Sequence, residues 1–131
     1  MKLLLDTHFA IELCEDYSAG MAEPGILEAA QQAGQLHVSV VSLWEVAIKA
    51  RLGKLQLLLS PERWPEAFAV AKLPILNISV SHVLADVGPR PATKDPFDLL
   101  LLGICAADGM QLVTRDRALV DHPLAWRPFL S

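Results

Sequence analysis

Four acidic residues stand where a carboxylate can do chemistry. They are Asp6 after Lys2-Leu3-Leu4-Leu5, Glu45 after Leu36 to Val41, Asp98 in Lys94-Asp95-Pro96-Phe97-Asp98, and Asp116 after Gln111 to Thr114. Each alone is explained by helix capping or by the helix dipole, which stabilises an anion in a first turn. Together they raise another question. Two like unit charges ~4 Å apart repel by about 4 kcal/mol at an effective dielectric near 20. Four converging carboxylates would spread or take up protons unless a cation sat among them. A carboxylate site with no cysteine and no required histidine suits a hard ion, Mg²⁺ or Mn²⁺. Such an ion polarises a phosphoryl oxygen and lowers the pKa of an attacking water. The implied chemistry is metal-dependent hydrolysis of a phosphodiester bond, with the substrate left open.

The elements that must position these acids alternate between strand and helix. Lys2 to Leu5 is a short apolar run suited to a strand buried on both faces, and Phe9 to Leu13 reads as a helix after Asp6-Thr7-His8. Glu15 to Pro24 reads as a loop, and residues 26–33 as a helix closed by Gly34. Leu36 to Val41 is the second strand. Ser42-Leu43-Trp44-Glu45 then fits a capping box, with Ser42 as N-cap and Glu45 at the third helical position. That helix carries Lys49 and Arg51 in its last turns and ends at Gly53. Ser60-Pro61 opens a helix through Ala71, Pro74 to Ile78 is the third strand, and Val80 to Val87 a short helix. Gly88-Pro89-Arg90-Pro91 connects to the longest apolar stretch.

That stretch, Leu99 to Ala107, is apolar on all sides, which implies a helix in the domain interior. Asp95 before Pro96 is its N-cap, Asp98 falls at its third position, and Asp108-Gly109 is its stop. Gln111 to Thr114 is the fourth strand. The tail from Asp121 leaves a short edge strand undecided. The pattern predicts an α/β fold, a three-layer α/β/α sandwich with a central, mostly parallel sheet of four to five strands. Such sheets bind ligands at the carboxyl ends of their strands, the address all four acids share.

Composition sets the bounds. The 131 residues fit a single domain over residues 1–131, and 53% hydrophobic content excludes a disordered segment. Met1 to Leu5 begins like a signal peptide, but Asp6 interrupts it, and no apolar run is long enough for a membrane span. A cytoplasmic protein with no membrane association is expected. Cys14 and Cys105 have no metal or redox spacing, so Cys105 reads as core. The formal net charge of −4 argues mildly against nucleic acid, an objection that weakens if metal neutralises clustered acids.

Five blocks carry a family likeness: Leu4-Leu5-Asp6-Thr7-His8, Val41 to Lys49, Leu52-Gly53-Lys54-Leu55, Asp95-Pro96-Phe97-Asp98 and Leu112-Val113-Thr114-Arg115-Asp116. In order and spacing they resemble PIN-domain proteins, most of all the VapC-type toxins of bacterial toxin–antitoxin pairs. The resemblance implies a Mg²⁺- or Mn²⁺-dependent endoribonuclease that acts on RNA, is inhibited by a cognate antitoxin, and forms a homodimer. It also implies that Asp6, Glu45, Asp98 and Asp116 are the catalytic, metal-binding residues. Such relatives commonly carry arginine where Leu99 stands and an aromatic residue near Glu12.

Secondary candidates are Thr7, Asp95, Thr114 and Arg115. Thr7 and Thr114 could hold a metal-bound water or simply cap. Asp95 is explained by capping. Arg115 and Lys49 could meet the RNA backbone, although a solvated lysine on a helix face is commoner. His8 reads as a core or rim histidine, and Trp44 as core packing rather than a base-stacking platform. Three rival functions remain. A phospho-receiver domain needs an acceptor aspartate that Ile75-Leu76-Asn77-Ile78 lacks. A non-catalytic binding module has no use for four intact acids. A DNA-directed nuclease stays open because nothing in the sequence reads a 2′-hydroxyl.

Overall fold

The computed structural model describes residues 1–19, 32 and 34–127. Strand β1 (Lys2–Leu5) shows how the layers arise. Leu3, Leu4 and Leu5 are all fully buried, so neighbouring side chains on opposite faces both need cover. Leu3 and Leu5 enter one core with Phe9, Leu13, Val38, Trp64 and Phe68. Leu4 enters another with Val41, Leu101, Leu102, Ile104 and Leu112.

The sheet between these cores holds β1, β2 (Gln35–Ser39), β3 (Ile75–Leu76) and β4 (Gln111–Val113) in the order β3-β2-β1-β4, with every pairing parallel. Helices α1 (Thr7–Ala19) and α3 (Trp64–Val70) build the first core, and α5 (Pro96–Asp108) builds the second. Helix α2 (Val40–Arg51) gives Val46 to the first and Val41 to the second. This is the expected three-layer α/β/α arrangement. Because all four strands are parallel, their carboxyl ends share one edge.

Helix α5 forms as its sequence requires. Asp95 accepts the Phe97 N–H at 2.9 Å, Pro96 opens the helix, and Gly109 closes it at φ 67°, a left-handed position that glycine takes without strain. Leu101, Leu102 and Ile104 are fully buried, and each such burial stabilises by roughly 1.5–3 kcal/mol. Gly103 lets the short helix α4 (Val80–Leu84) approach closely, since a Cβ there would meet the His82 carbonyl oxygen at 2.5 Å. Cys14 and Cys105 are buried free thiols, and burial pushes both up to about 12.

Several local expectations need correction. The N-cap of α2 is Ser39, whose hydroxyl accepts the Val41 N–H at 3.0 Å. Ser42 is therefore not the cap, and Glu45 lies in the second turn rather than at the third position. Val40 and Val41, read as strand, are helical because Ser39 takes the chain over three residues earlier than the capping-box pattern suggests. Helix α1 continues through Ala19, so Glu15 to Ala19 is not loop. Glu15 instead reaches out of this helix to accept the Leu58 and Leu59 N–H groups. The helix expected over residues 26–33 lies outside the described residues.

Ser60-Pro61 opens a 3₁₀ turn (Pro61–Arg63) before α3, because the second proline, Pro65, sits in the next first turn. Strand β3 is two residues long, and Ser79 soon caps α4. Helix α4 stops at Leu84, where Ala85 turns extended and the Asp86 carboxylate accepts the Gly88 N–H. The tail contributes a single parallel bridge, Ala125 to Leu112, rather than a strand. Among the described residues, no helix is long and apolar enough to cross a membrane.

Candidate active site

All four acids line one cleft of about 370 Å³ at the carboxyl edge of the sheet, with Thr7, His8, Ile11, Lys49, Asp95 and Arg115. A slightly larger hollow of about 470 Å³ beside the start of β2 is lined by Gly34 to His37 and Ala71 to Pro74, with no acid in it. Chemistry, not size, singles out the first.

Asp6 ends β1 and caps α1, accepting the Phe9 N–H at 3.0 Å through Oδ1. Its Oδ2 accepts the Thr114 hydroxyl. Capping and a site role therefore coexist in one side chain. Asp6 is only 4% exposed, and burial raises its pKa above the ordinary carboxylate value, against the two hydrogen bonds that lower it. Asp98 is half-buried, and burial together with the charges of Asp95, Asp116 and Glu45 pushes it up to about 6, against the Thr93 hydrogen bond. That mutual repulsion is the electrostatic signature of acids facing one another.

Glu45 is buried. Its Oε2 accepts from the Lys49 ammonium one turn along α2. Its Oε1 is buried with no hydrogen-bond partner among the described residues. Lys49 has its pKa raised, first by the hydrogen bond to Glu45 and further by the charges of Asp95 and Asp98. The Lys49 side chain stays 42% exposed, as a helix-face lysine would, but its ammonium is paired with Glu45 at the cleft.

A repeated Thr-x-Asp arrangement braces the site. The Thr114 hydroxyl accepts the Asp116 N–H at 3.0 Å and donates to Asp6. The Thr93 hydroxyl accepts the Asp95 N–H at 3.1 Å and donates to Asp98 at 2.9 Å. Sequence reasoning missed Thr93, although its spacing to Asp95 matches that of Thr114 to Asp116. It also missed Ser42, whose hydroxyl lies 3.0 Å from that of Thr7 and joins α1 to α2 beneath the cleft.

Arg115 stands at the rim, its guanidinium 4.5 Å from the Phe9 ring centroid and paired with Glu12. Glu12, where relatives tend to be aromatic, therefore anchors a rim cation. His8 is an exposed rim residue, 3.9 Å from Glu12. Leu99 does not line the cleft and packs near His82 and Val83 instead. Trp44 is not core: it is 55% exposed, edge-on to Phe97 with ring centroids 5.2 Å apart.

Among the described residues, no three Asp, Glu, His or Cys side chains form a ready chelate. The donor set nevertheless fits a hard divalent cation. The four acids and Thr7 offer carboxylate and hydroxyl oxygens, and among the described residues nothing else claims the buried Glu45 Oε1. Among the described residues, Lys49 is the one cation paired with these acids.

The family model for the PIN domain matches residues 3–123 of the chain. Two solved structures share its fold. A toxin–antitoxin complex from Klebsiella pneumoniae is 21% identical, with a TM-score of 0.55 over 97% of this chain and 98% of the other. VapBC2 from Rickettsia felis, bound to a DNA fragment from its promoter, is 16% identical, with a TM-score of 0.62 over 97% of this chain and 100% of the other. Curated protein sequences give no match.

Proposed function

Because this chain belongs to the PIN domain family, we propose that it is a metal-dependent endoribonuclease, the toxin of a VapC-type toxin–antitoxin pair. Asp6, Glu45, Asp98 and Asp116 are its metal-binding acids. The observation that carries this reading is their convergence on one cleft, with a buried Glu45 oxygen left without a partner among the described residues. The toxin–antitoxin complexes among its structural neighbours support the partner half of the reading.

When bound, Mg²⁺ or Mn²⁺ would polarise a phosphoryl oxygen and lower the pKa of the attacking water. The chain's own residues prepare the site. Phe9 N–H and the Thr114 hydroxyl fix both oxygens of Asp6, and Thr93 fixes Asp98. Arg115, tethered by Glu12 and Phe9, presents a cation at the rim to an incoming phosphate backbone. Asp95 caps α5 and adds negative charge without a ligand role.

The test is cleavage of single-stranded RNA by purified protein with Mg²⁺ or Mn²⁺, and its loss in EDTA. Asp6→Asn should remove most activity and leave the circular-dichroism spectrum folded, because asparagine still caps α1. Full activity in EDTA would refute the metal mechanism. Single-stranded DNA in parallel decides between RNA and DNA as substrate. The same reading makes the protein a cytoplasmic homodimer, checked by sedimentation and fractionation.

A further inference from the structure

We infer that the Lys49 ammonium is a built-in competitor of the divalent cation: it neutralises Glu45 through Oε2 in the metal-free protein, and an ion taking the same carboxylate must bind against its charge. The inference rests on the proposed metal site and deepens it. Lys49 and Glu45 are four residues apart on α2, with the glutamate on the amino side, the favourable order for such a pair. The ammonium meets Oε2, while Oε1 is buried and has no partner among the described residues. An uncompensated buried carboxylate is costly, so the cleft needs a positive charge in one form or another. The Glu45 side chain is 7% exposed and that of Lys49 42% exposed. The carboxylate is therefore fixed in place, whereas the lysine has a way out to solvent.

Two consequences follow for the chain itself. Metal-free protein keeps a neutralised Glu45 and a stable α2. Metal affinity is set lower than the four acids alone would give, because the ion binds Glu45 against the charge of the ammonium already paired with it. Lys49 is in this sense a positioning residue for Glu45.

The experiment measures Mn²⁺ binding by calorimetry without RNA, together with the melting temperature in EDTA and in Mn²⁺. Lys49→Met keeps the aliphatic stem and removes the charge. It should bind Mn²⁺ about tenfold more tightly, melt lower than wild type in EDTA, and gain more from Mn²⁺ than wild type does. Lys49→Arg keeps the charge and should bind like wild type. If Lys49→Met does not fold without metal, Lys49→Gln takes its place with the same expected direction. Equal or weaker Mn²⁺ binding by the uncharged variants overturns the inference while leaving the metal site standing. Absence of Mn²⁺ binding in wild type and variants alike overturns both.

Discussion

Asp95 and Asp98 are neighbours on α5 with different surroundings. Asp95 gives Oδ1 to the Phe97 N–H, a backbone duty that asparagine performs about as well. Asp98 accepts from Thr93 and faces Glu45 and Asp116. Asp95→Asn should therefore keep RNA cleavage. Asp98→Asn should lose more than the roughly 10–100-fold typical of a residue that only supports a ligand. A single assay of both variants decides, and reversed phenotypes would assign the metal to Asp95. The pKa of Asp98 supplies a second test. It rises from 3.8 unfolded to about 6 folded, so the folded metal-free protein holds a proton there that the unfolded chain releases. Stability in EDTA should then fall as pH rises from about 4 to about 6 and level off above, with Asp6 acting in the same direction. Asp98→Asn should flatten that slope in urea titrations. Mn²⁺ affinity should run the other way, rising through about pH 6 as the carboxylate becomes available; an affinity independent of pH would contradict the assignment.

Helix α2 shows where the sequence was legible and where it was not. Its carboxyl end was plain, because Lys49, Arg51 and Gly53 mark it chemically. Its start was misplaced, because Ser39 and Ser42 both precede apolar residues and only tertiary packing decides which one caps. Ser39 is buried and bonds the Val41 N–H, whereas Ser42 turns to Thr7. Ser39→Ala should cost about 1 kcal/mol or more in urea denaturation and fray the start of α2. Ser42→Ala should leave the helix start protected from hydrogen exchange; fraying in that variant instead would restore the capping-box reading. The acids themselves were legible because a parallel sheet sends every strand-end residue to one edge. Lys49 and Trp44 were not, since rotation about a helix axis is fixed by packing, not by spacing alone. Trp44 sits beside Glu45 in sequence yet is exposed, and Lys49 is both partly exposed and bonded to Glu45 at the cleft.

At the scale of the whole molecule, a chain of net charge −4 gathers acids into one cleft, so a basic inhibitor has an obvious target. Arginine suits it, because its fork pairs bidentately with carboxylates. A partner encoded beside this protein should lose inhibition when its pocket-filling arginine is changed to alanine, and should bind less tightly as salt rises. Inhibition unaffected by every such change would show that the partner works from another face. The sheet topology narrows how any partner can attach. At the β4 border, the tail backbone already takes the hydrogen bonds on offer: Leu112 N–H donates to the Leu124 carbonyl, and the Leu112 carbonyl accepts from Trp126 N–H, both at 2.8 Å. At the other border, β3 offers two residues. Among the described residues, neither border can template an added strand, since one is taken and the other is too short to hold a β-ribbon in register. Among the described residues the sheet is thus shielded from edge-to-edge pairing, and an inhibitor peptide seated on this part of the chain should be read by helices and side chains rather than by backbone pairing.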